Sequence, residues 1–468
     1  MFTLEQLVTA SGGRVVRGTA DQRTIFSGGA NDSRTIRSVP PGRPGELFFA
    51  LAGERDGHAF VGAALANGAA AAVVDRVPDG VPEEALLVQV GSVPRALRRL
   101  AEALRQAHPI PMVGITGSMG KTTTKEVLAA VLGARFRVLR TAASYNNEIG
   151  VPLTLLRLEP THEVGVIELG FYVPGEIADL CALVRPRIGI ITAIPDRPPH
   201  FSRTPSVDAI ASGKAELIAA LPPAAEGGIA LLNADDPRVR GLADRTRARV
   251  VLFGEAAGAQ VRATDVSVEG LEGISFRVSY EGAEADARLP LPGRHLLTSA
   301  LAALGAAVAL GVPLDEAVVA LGTVEPPAHR MQVRRAEDVT VIDDSYNASE
   351  AAVHAALALL RGAPGRRIAV LGDMLELGTL SAEAHESVGR DVAASADVLV
   401  AVGELAATIA HTASRSGMSA VHRATDAADA LVRVRQLLTP GDVVLVKGSR
   451  ALALDRLADA LVRTEART

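Results

Sequence analysis

The chain of 468 residues has no tryptophan, a single cysteine and few aromatic residues, which make up 3% of it. Scarce aromatic side chains argue against the stacking surfaces that bind single-stranded nucleic acid. A formal net charge of −5 argues against non-specific binding to nucleic acid. The lone Cys181 excludes an internal disulfide and favours a reducing compartment. We therefore expect no nucleic-acid partner.

Long apolar runs are also missing. None approaches the roughly 18 residues that a membrane-spanning helix needs, and residues 1–6 lack the basic-then-apolar order of a signal peptide. Hydrophobic residues nevertheless make up 48% of the chain, enough for a sizeable core. We expect a cytoplasmic protein without membrane insertion.

The most informative stretch is Gly-Ile-Thr-Gly-Ser-Met-Gly-Lys-Thr-Thr-Thr at residues 114–124. A short apolar run precedes it and apolar residues at helical spacing follow, which is the strand, loop and helix of a phosphate-binding loop. Gly117 and Gly120 would let the backbone approach phosphate oxygens, and the amides at the helix start would face the anion. Lys121 would neutralise the phosphates and the Thr122 hydroxyl would bind Mg²⁺. Because Ile115 stands where the strict pattern has glycine, the alternative is a glycine-rich turn with an incidental lysine.

The distribution of apolar runs and linkers predicts three α/β units. The first covers residues 1–108 and ends near His108-Pro109. The second covers residues 109–325, where strands alternate with helices, a pattern typical of a parallel sheet covered on both faces. The third, residues 326–468, follows the proline-rich Glu325-Pro326-Pro327 and has its own strand candidates.

Polar side chains follow several of these strand candidates, and ligands on parallel sheets bind at the carboxyl ends of strands. Glu168 could complete a Mg²⁺ shell or be an ordinary loop carboxylate. Asn233 could contact an adenine or simply belong to a turn. For Asp343, Asp344 and Lys447, position at a strand end leaves function and solubility equally open. Sequence physics alone does not single out His200 or Lys214.

The order of these motifs resembles that of the Mur ligases over nearly the full chain. The matching stretches are residues 32–34, 114–125, 145–152, 168–170, 233–236, 293–295, 343–348, 371–378 and 447–450. Within the family, the Asn-Asn-Glu-Ile-Gly, Asp-Ser-Tyr-Asn-Ala and Leu-Gly-Asp-Met-Leu-Glu-Leu-Gly runs favour D-alanyl-D-alanine as the amine. The Asp-Asn-Pro-Arg signature that accompanies diaminopimelate is absent.

This resemblance implies an activity and a role for each of the three units. The activity would be ATP- and Mg²⁺-dependent joining of D-alanyl-D-alanine to UDP-N-acetylmuramoyl-tripeptide through an acyl phosphate, in cytoplasmic peptidoglycan precursor synthesis. The first unit would bind the UDP-substrate, the second ATP, and the third would be a Rossmann-like domain. A monomer fits the family.

The resemblance also implies roles for individual residues. ATP would be bound by Gly117, Ser118, Met119, Gly120, Lys121, Thr122, Thr123, Asn233 and Arg330. The catalytic residues would be Lys121, Lys214, His200 and Arg330. The metal ligands would be Thr122, Glu168, His200 and Lys214, the last carrying a carbamate derived from CO₂. The substrates would be bound by Asp32, Ser33, Arg34, Asn146, Asn147, Asp344, Tyr346 and Asn347.

Three stretches depart from the usual pattern of the family. Residues 193–200 are longer and proline-rich, Leu296 and Ser299 stand at usual asparagine positions, and Ser349-Glu350 replaces Asn-Pro. Two other functions remain as alternatives. One is a related ligase with another amine, such as a folylpolyglutamate synthase, and the other is a nucleotide-switched or non-catalytic binding protein.

Overall fold

The computed structural model describes residues 1–40, 42–198, 201–336 and 338–463. The chain divides into two compact units. One contains residues 1–114, 136–170 and 176–187, and the other contains residues 115–135, 171–175 and 188 onward. Within the described ranges, no helix is long and apolar enough to cross a membrane.

The N-terminal part builds a small, mostly parallel sheet. Its strands are β1 (Phe2–Thr3), β2 (Arg14–Arg17), β3 (Ile25–Phe26), β4 (Gly28–Ala30), β5 (Glu46–Phe49), β6 (Ala71–Val74) and β7 (Leu87–Gln89). Its helices are α1 (Leu4–Ser11), α2 (Val61–Ala66) and α3 (Val93–Ala107). The sheet order is β2-β7-β6-β5-β4, and β1 pairs with β3 separately.

The middle part builds a longer sheet. Its strands are β8 (Met112–Thr116), β9 (Val138–Arg140), β10 (Val164–Glu168), β11 (Ile188–Ile191), β12 (Ile229–Asn233), β13 (Arg249–Gly254), β14 (Val261–Val268), β15 (Ile274–Tyr280) and β16 (Ala283–Leu289). Its helices are α4 (Lys121–Gly133), α5 (Gly150–Leu155), α6 (Glu176–Val184), α7 (Val207–Ala219), α8 (Pro237–Arg240), α9 (Leu297–Ala309) and α10 (Leu314–Leu321). The order is β16-β15-β14-β13-β12-β11-β8-β10-β9.

One end of this sheet differs from the expected parallel arrangement, because β14, β15 and β16 pair antiparallel. The turn between β15 and β16 consists of Glu281 and Gly282, with φ of 51° and 83°. Two successive residues at positive φ are typical of the tight hairpin turn that matches the twist of paired strands. The short connection forces the antiparallel pairing, since a parallel one needs a long crossover.

The third part has a sheet in the order β17-β18-β22-β19-β20-β21. Its strands are β17 (Gln332–Arg335), β18 (Val339–Asp343), β19 (Arg367–Gly372), β20 (Val398–Val402), β21 (Val421–Ala424) and β22 (Asp442–Lys447). Its helices are α11 (Glu350–Arg361), α12 (Ser381–Ser395), α13 (Ala406–Arg415), α14 (Ala427–Leu437) and α15 (Asp455–Val462). β17 pairs antiparallel with β18, and the strands that follow pair parallel.

The apolar runs of these strands form the core of the third sheet. Val370, Val400 and Val444 are wholly buried, with Leu457 of α15 packed in the same cluster. Strands covered on both faces need continuous apolar sequence, and each such side chain contributes about 1.5–3 kcal/mol when fully buried. Polar residues occur at the strand ends, as with Asp343 and Lys447.

The predicted fold class, α/β with parallel sheets, is confirmed. One main sheet lies within each predicted segment. The boundaries at residues 108/109 and 325/326 stay predictions.

Helices α11 and α12 are joined by an ion network that gives a testable pH dependence. His354 Nδ1 lies 2.6 Å from Asp391 Oδ2, and its Nε2 lies 3.7 Å from Glu350. Arg361 also pairs with Asp391. The hydrogen bond to Asp391, followed by that to Glu350, raises the pKa of His354 from its ordinary 6.5 to about 9.

Because the folded chain holds this proton more tightly than the unfolded chain, the added stability is complete below pH 6.5 and is lost as pH rises through about 9. We expect His354→Gln to remove this part of the pH dependence of the unfolding free energy, measured by urea denaturation. His411→Gln, at an exposed histidine on α13, should keep it. Identical pH curves for the wild type and His354→Gln would contradict the assignment.

Candidate active site

The predicted order of strand, loop and helix is confirmed, although the strand, expected over residues 110–113, is β8 at Met112–Thr116 and takes in the first residues of the expected loop. The backbone between β8 and α4 relies on glycine at both ends of the turn. Gly117 has a φ of +149° and Gly120 a φ of +78°. A Cβ on Gly117 would lie 1.9 Å from the Thr192 hydroxyl oxygen, so a side chain there is excluded without rearrangement. The turn therefore needs glycine at Gly117, and it leads directly into α4, whose N-terminus suits an anionic ligand.

The end of β11 holds this loop in place. The Ser118 amide donates to the carbonyl of Ala193 at 2.7 Å, and Met119 forms an isolated bridge with the same residue. The Thr192 hydroxyl donates to the carbonyl of Met119. The loop is thus fixed by its neighbouring strand.

The Ser118 hydroxyl is a buried polar group without a hydrogen-bond partner among the described residues. A buried hydroxyl left unpaired costs about 1–3 kcal/mol. A ligand oxygen at the loop would remove this cost. Together with the N-terminus of α4 beside it, this unpaired hydroxyl fits a bound phosphate.

Two lysine side chains meet at the loop. Lys121 Nζ donates to the carbonyl of Gly117 at 2.7 Å, and Lys214 Nζ of α7 donates to the same carbonyl at 3.0 Å. The side chain of Lys214 is buried, with its nitrogen 4.9 Å from the centre of the Phe171 ring. Burial, followed by the charge of Lys121, holds the pKa of Lys214 well below its usual value of 10.5. Lys214 is consequently disposed to be a neutral amine, which is a nucleophile.

A hydrogen bond joins the first turn of α4 to α9. Thr122 and Thr123 are buried at the start of the helix, and the Thr124 hydroxyl donates to the Ser299 hydroxyl at 3.0 Å. Ser299 stands where the resemblance leads us to expect asparagine. Here it supports the helix that carries Lys121.

We expect Ser299→Ala to lower the unfolding free energy by about 1–2 kcal/mol, because it removes the partner of a buried hydroxyl. Urea denaturation would measure the change. Ser414→Ala, at an exposed position on α13, is the matched control and should change stability little. Equal stability of Ser299→Ala and the wild type would show that the Thr124 hydroxyl has another partner.

Asn233 lies at the end of β12, and both the nitrogen and the oxygen of its buried side chain form hydrogen bonds. Its amide nitrogen donates to the carbonyl of Thr192 at 2.9 Å, and its oxygen accepts from the Asp235 amide at 3.0 Å. These bonds attach β12 to the residue that supports the phosphate loop. The predicted contact with adenine stays a prediction.

Glu168 ends β10 and is also buried. Its carboxylate accepts from the Asn146 amide nitrogen at 2.7 Å. The Asn147 oxygen accepts from the Gly150 amide at 2.9 Å and so caps the start of α5. The structure thus gives both asparagines a local role, and their contact with substrate stays a prediction.

In the third part, Arg330 lies between two residues in the left-handed backbone region. His329 has a φ of 59° and Met331 a φ of 49°. The Tyr346 amide donates to the carbonyl of His329 at 3.1 Å, and the Met331 amide donates to Asp344 Oδ1 at 3.2 Å. Arg330 Cζ lies 4.1 Å from the centre of the Tyr346 ring. The strained turn therefore places this guanidinium on the ring.

The end of β22 adds cations to the same loop. Lys447 Nζ donates to Asp344 Oδ2 and, at 3.0 Å, to the carbonyl of Asn347. Arg450 Cζ lies 4.7 Å from the centre of the Tyr346 ring. Within the described residues, neither Arg330 nor Arg450 has a carboxylate partner. The loop is accordingly positive and suited to an anionic ligand.

His295 belongs to the same neighbourhood. Its burial lowers its pKa to about 4, opposed by the charge of Asp344 and assisted by that of Lys447. A Cβ on Gly293 would lie 2.7 Å from the His295 ring, which explains the glycine. The imidazole is neutral at neutral pH and so does not add to the positive charge.

Asp343, the carboxylate at the end of β18, pairs with two neighbouring side chains. Its Oδ2 lies 2.7 Å from Arg334 Nη2 and 2.8 Å from His329 Nδ1. Arg334 also pairs with Asp459 at 2.7 Å. His329, Asp343 and Asp459 are near enough to hold a metal ion, but the Arg334 guanidinium already pairs with both carboxylates. We assign this cluster to the support of the Arg330 turn.

Comparison with known proteins decides the family. Residues 115–307 match the Mur ligase middle domain, and residues 329–450 match the Mur ligase, glutamate ligase domain. Over 425 residues the chain is 36% identical to the UDP-N-acetylmuramoyl-tripeptide–D-alanyl-D-alanine ligase of Escherichia coli (strain K12), covering 89% of this chain and 91% of that protein. The chain belongs to the Mur ligase family.

Solved structures agree with this Mur ligase assignment. A crystal structure of MurF from Acinetobacter baumannii has a TM-score of 0.83 at 30% identity and covers 99% of both chains. The crystal structure of MurF ligase from Thermotoga maritima in complex with ADP has a TM-score of 0.76 at 28% identity, covering 94% of this chain and 98% of that chain. The family predicted from the motifs is confirmed.

The residues of this chain that are expected to bind the UDP-substrate lie in the N-terminal part. Asp32 accepts from Arg34 Nη2 at 2.7 Å, and this hydrogen bond holds the pKa of Asp32 below its ordinary value. Ser33 is buried, and its carbonyl accepts from the Asn67 amide nitrogen at 2.8 Å. The arrangement is a local turn with an exposed guanidinium, and its contact with substrate stays a prediction.

His200 was predicted as a site residue, whereas Arg450 was not. His200 lies outside the described residues, so its role as a metal ligand and catalytic residue stays a prediction. Arg450 was not among the expected site residues, although the stretch Lys447-Gly448-Ser449-Arg450 was recognised. Its guanidinium beside Tyr346 could have been anticipated from its place just after a strand end, where ligands of such sheets bind.

Proposed function

We propose that this Mur ligase joins D-alanyl-D-alanine to UDP-N-acetylmuramoyl-tripeptide, with ATP as the source of energy. The observation that carries the proposal is the phosphate loop with its two lysines, Lys121 and Lys214, on the carbonyl of Gly117. A simple nucleotide-binding protein needs the loop and Lys121. It has no need of a second, fully buried lysine with a lowered pKa.

The loop residues have defined parts in ATP binding. Gly117 and Gly120 allow the positive φ values of the loop, and the unpaired Ser118 hydroxyl supplies a donor. Lys121 would exchange the Gly117 carbonyl for a phosphate oxygen. When bound beside Thr122, Mg²⁺ would neutralise negative charge on the phosphates. Glu168 as a further ligand to the metal stays a prediction.

Lys214 fits the carbamate that the family resemblance implies. Its neutral nitrogen can attack CO₂, so that an N–C bond forms and the nitrogen releases a proton. The product is an anionic carbamate in place of a potential cation. This change gives Lys214 a negative charge that attracts Lys121 and creates oxygen ligands of the kind that Mg²⁺ prefers.

The reaction itself needs no nucleophile from the enzyme. The tripeptide carboxylate attacks the γ-phosphorus of ATP, giving an acyl phosphate and ADP. The amine of the dipeptide then attacks the acyl carbon, and phosphate leaves. The chain's residues orient these groups and offset their negative charges. Lys121 does so at the loop, and Arg330, held on Tyr346, does so from the third part.

The substrates are inferred from the relatives. The Escherichia coli relative carries the name UDP-N-acetylmuramoyl-tripeptide–D-alanyl-D-alanine ligase, as does one from Bacillus subtilis (strain 168) that is 32% identical over 449 residues. We assign the same pair of substrates to this chain and place the reaction in the cytoplasm. We propose that Asp344, Tyr346 and Asn347 line the dipeptide. A monomeric state stays a prediction.

The test measures phosphate release by the purified protein with MgATP and UDP-N-acetylmuramoyl-tripeptide. D-alanyl-D-alanine, glutamate and diaminopimelate are compared as amines. We expect release that requires D-alanyl-D-alanine, together with a UDP-N-acetylmuramoyl-pentapeptide product by mass spectrometry. Release with glutamate or diaminopimelate instead would identify a related ligase, and release indifferent to every amine would identify a nucleotide switch.

A further inference from the structure

The proline-rich segment that follows β11 begins beside the phosphate loop. The carbonyl of Ala193 accepts from the Ser118 amide at 2.7 Å, and the Ile194 amide donates to Asp236 Oδ2 at 2.6 Å. Asp196 then pairs with Arg238 at 2.6 Å. The beginning of the segment is thus fixed to the nucleotide side of the middle sheet.

Arg197, the next residue, reaches two helices of the third part. Its Nη1 lies 2.5 Å from Glu350 Oε1, and its Nη2 pairs with Glu383 Oε1. Glu350 is the first residue of α11 and Glu383 lies in the first turn of α12. A single planar guanidinium therefore joins both helix starts, which a flexible ammonium could not do with the same geometry.

The environment of Glu350 distinguishes this contact from an ordinary surface pair. The side chain of Glu350 is only 7% exposed, whereas that of Glu383 is 60% exposed. Burial raises the pKa of Glu350, but hydrogen bonds with His354 and Ser387 and the charge of Arg197 outweigh it, so that the net pKa lies below its ordinary value. Loss of Arg197 would leave a buried carboxylate with fewer compensating charges.

A second contact joins the same regions without Arg197. The Ser202 amide donates to the carbonyl of Glu376 at 3.1 Å. Glu376 and Gly378 both have positive φ, 65° and 54°, and a Cβ on Gly378 would lie 3.1 Å from Ser202 Cα. The loop after β19 is therefore shaped to fit closely against Ser202.

The position of Glu350 connects these contacts to the reaction. It follows by three residues the loop of Asp344, Tyr346 and Asn347, on which Arg330 rests. Arg197 and Glu350 also both lie in stretches that depart from the usual Mur ligase pattern. The structure brings these two departures together as one ion pair.

We propose that Arg197 is a positioning residue, which holds the Tyr346 loop in register with the phosphate loop by bridging Glu350 and Glu383. The inference rests on the proposed ligase function. Arg197 would act through the loop and would contact neither substrate nor nucleotide. Its loss should therefore slow the chemical step more than it weakens ATP binding.

The experiment compares the wild type with Arg197→Ala, Arg197→Lys and Glu383→Gln in the ligase reaction. We expect Arg197→Ala to lower kcat roughly tenfold, because small displacements of reacting groups are costly, with less than a twofold change in KM for ATP. Arg197→Lys should recover part of kcat. Glu383→Gln, at an exposed position, should fold normally and lower kcat in the same direction.

Two controls make the result decisive. Arg390→Ala breaks an exposed pair with Glu386 on the same helix α12 and should leave kcat unchanged. Urea denaturation of each variant separates positioning from folding. If kcat of Arg197→Ala equals that of the wild type, or falls only in proportion to the folded fraction, the inference is wrong. An inactive wild type would instead refute the proposed function.

Discussion

Replacing Lys214 with alanine should lower the rate of amide formation on the order of 100-fold, the upper end of what loss of metal-site support costs. The buried amine lies 3.0 Å from the phosphate-loop carbonyl of Gly117, where a carbamate would supply anionic oxygens of the kind that Mg²⁺ prefers. Alanine can form no carbamate. Steady-state phosphate release in the presence of both substrates measures the loss.

Added short carboxylates, such as acetate, should restore part of this activity, because the cavity left by the side chain can admit an anion. Chloride at the same ionic strength is the control and should restore none. If Lys214→Ala retains wild-type activity, or if chloride rescues as well as acetate, the assignment of an anionic Lys214 is wrong.

The same lysine predicts a stability effect whose sign follows from its pKa. Lys214 binds its proton more weakly in the folded chain than in the unfolded chain, because the folded chain buries the amine. Between the lowered pKa and 10.5, the unfolding free energy of the wild type therefore increases as pH rises. Lys214→Met should lack this gain and be at least as stable as the wild type at neutral pH without nucleotide. Its loss of activity would then not be a loss of folding.

Replacing Gly117 with alanine should weaken ATP binding about 10- to 100-fold, because a displaced loop loses hydrogen bonds to charged phosphate oxygens, worth about 1.5–3 kcal/mol each. The new Cβ would overlap the Thr192 hydroxyl at 1.9 Å, on a backbone with a φ of +149°. Thr192 supports the loop through Met119, so any movement that relieves the overlap also displaces the loop. We also expect the unfolding free energy to fall by about 1–3 kcal/mol.

Gly133→Ala is the matched control, since Gly133 lies in the same helix α4 and a Cβ there would meet no atom within 4 Å. It should leave ATP binding unchanged and stabilise the helix by about 0.5–1 kcal/mol. Isothermal titration with ATP, paired with urea denaturation, measures both variants. If Gly117→Ala binds ATP as tightly as Gly133→Ala, the loop does not hold the phosphates.

The sequence predicted the phosphate loop well because its signals are local. Gly117, Gly120 and Lys121 lie within five positions of each other, and apolar runs identify the strand and helix around them. Lys214 is different, since it joins the loop only because α7 returns to Gly117 from 97 residues away. No local pattern reports that contact, and only the family resemblance indicated it.

Side-chain partners were the hardest features to predict. Asn233 and Asn147 occur in motifs that suggested ligand contacts, yet both bond to neighbouring backbone groups in this structure. Short polar side chains at strand and helix ends often satisfy the backbone in this way. The antiparallel end of the middle sheet was missed because Glu281-Gly282 is a weaker hairpin signal than Asn-Gly or Asp-Gly.

In the proposed reaction, ATP activates a substrate carboxylate for attack by an amine. The most direct test uses UDP-N-acetylmuramoyl-tripeptide labelled with ¹⁸O in the reacting carboxylate, together with MgATP and D-alanyl-D-alanine. We expect each released phosphate to carry one labelled oxygen, because the acyl–oxygen bond breaks when the amide forms. Unlabelled phosphate would mean that water attacks ATP and that no acyl phosphate forms.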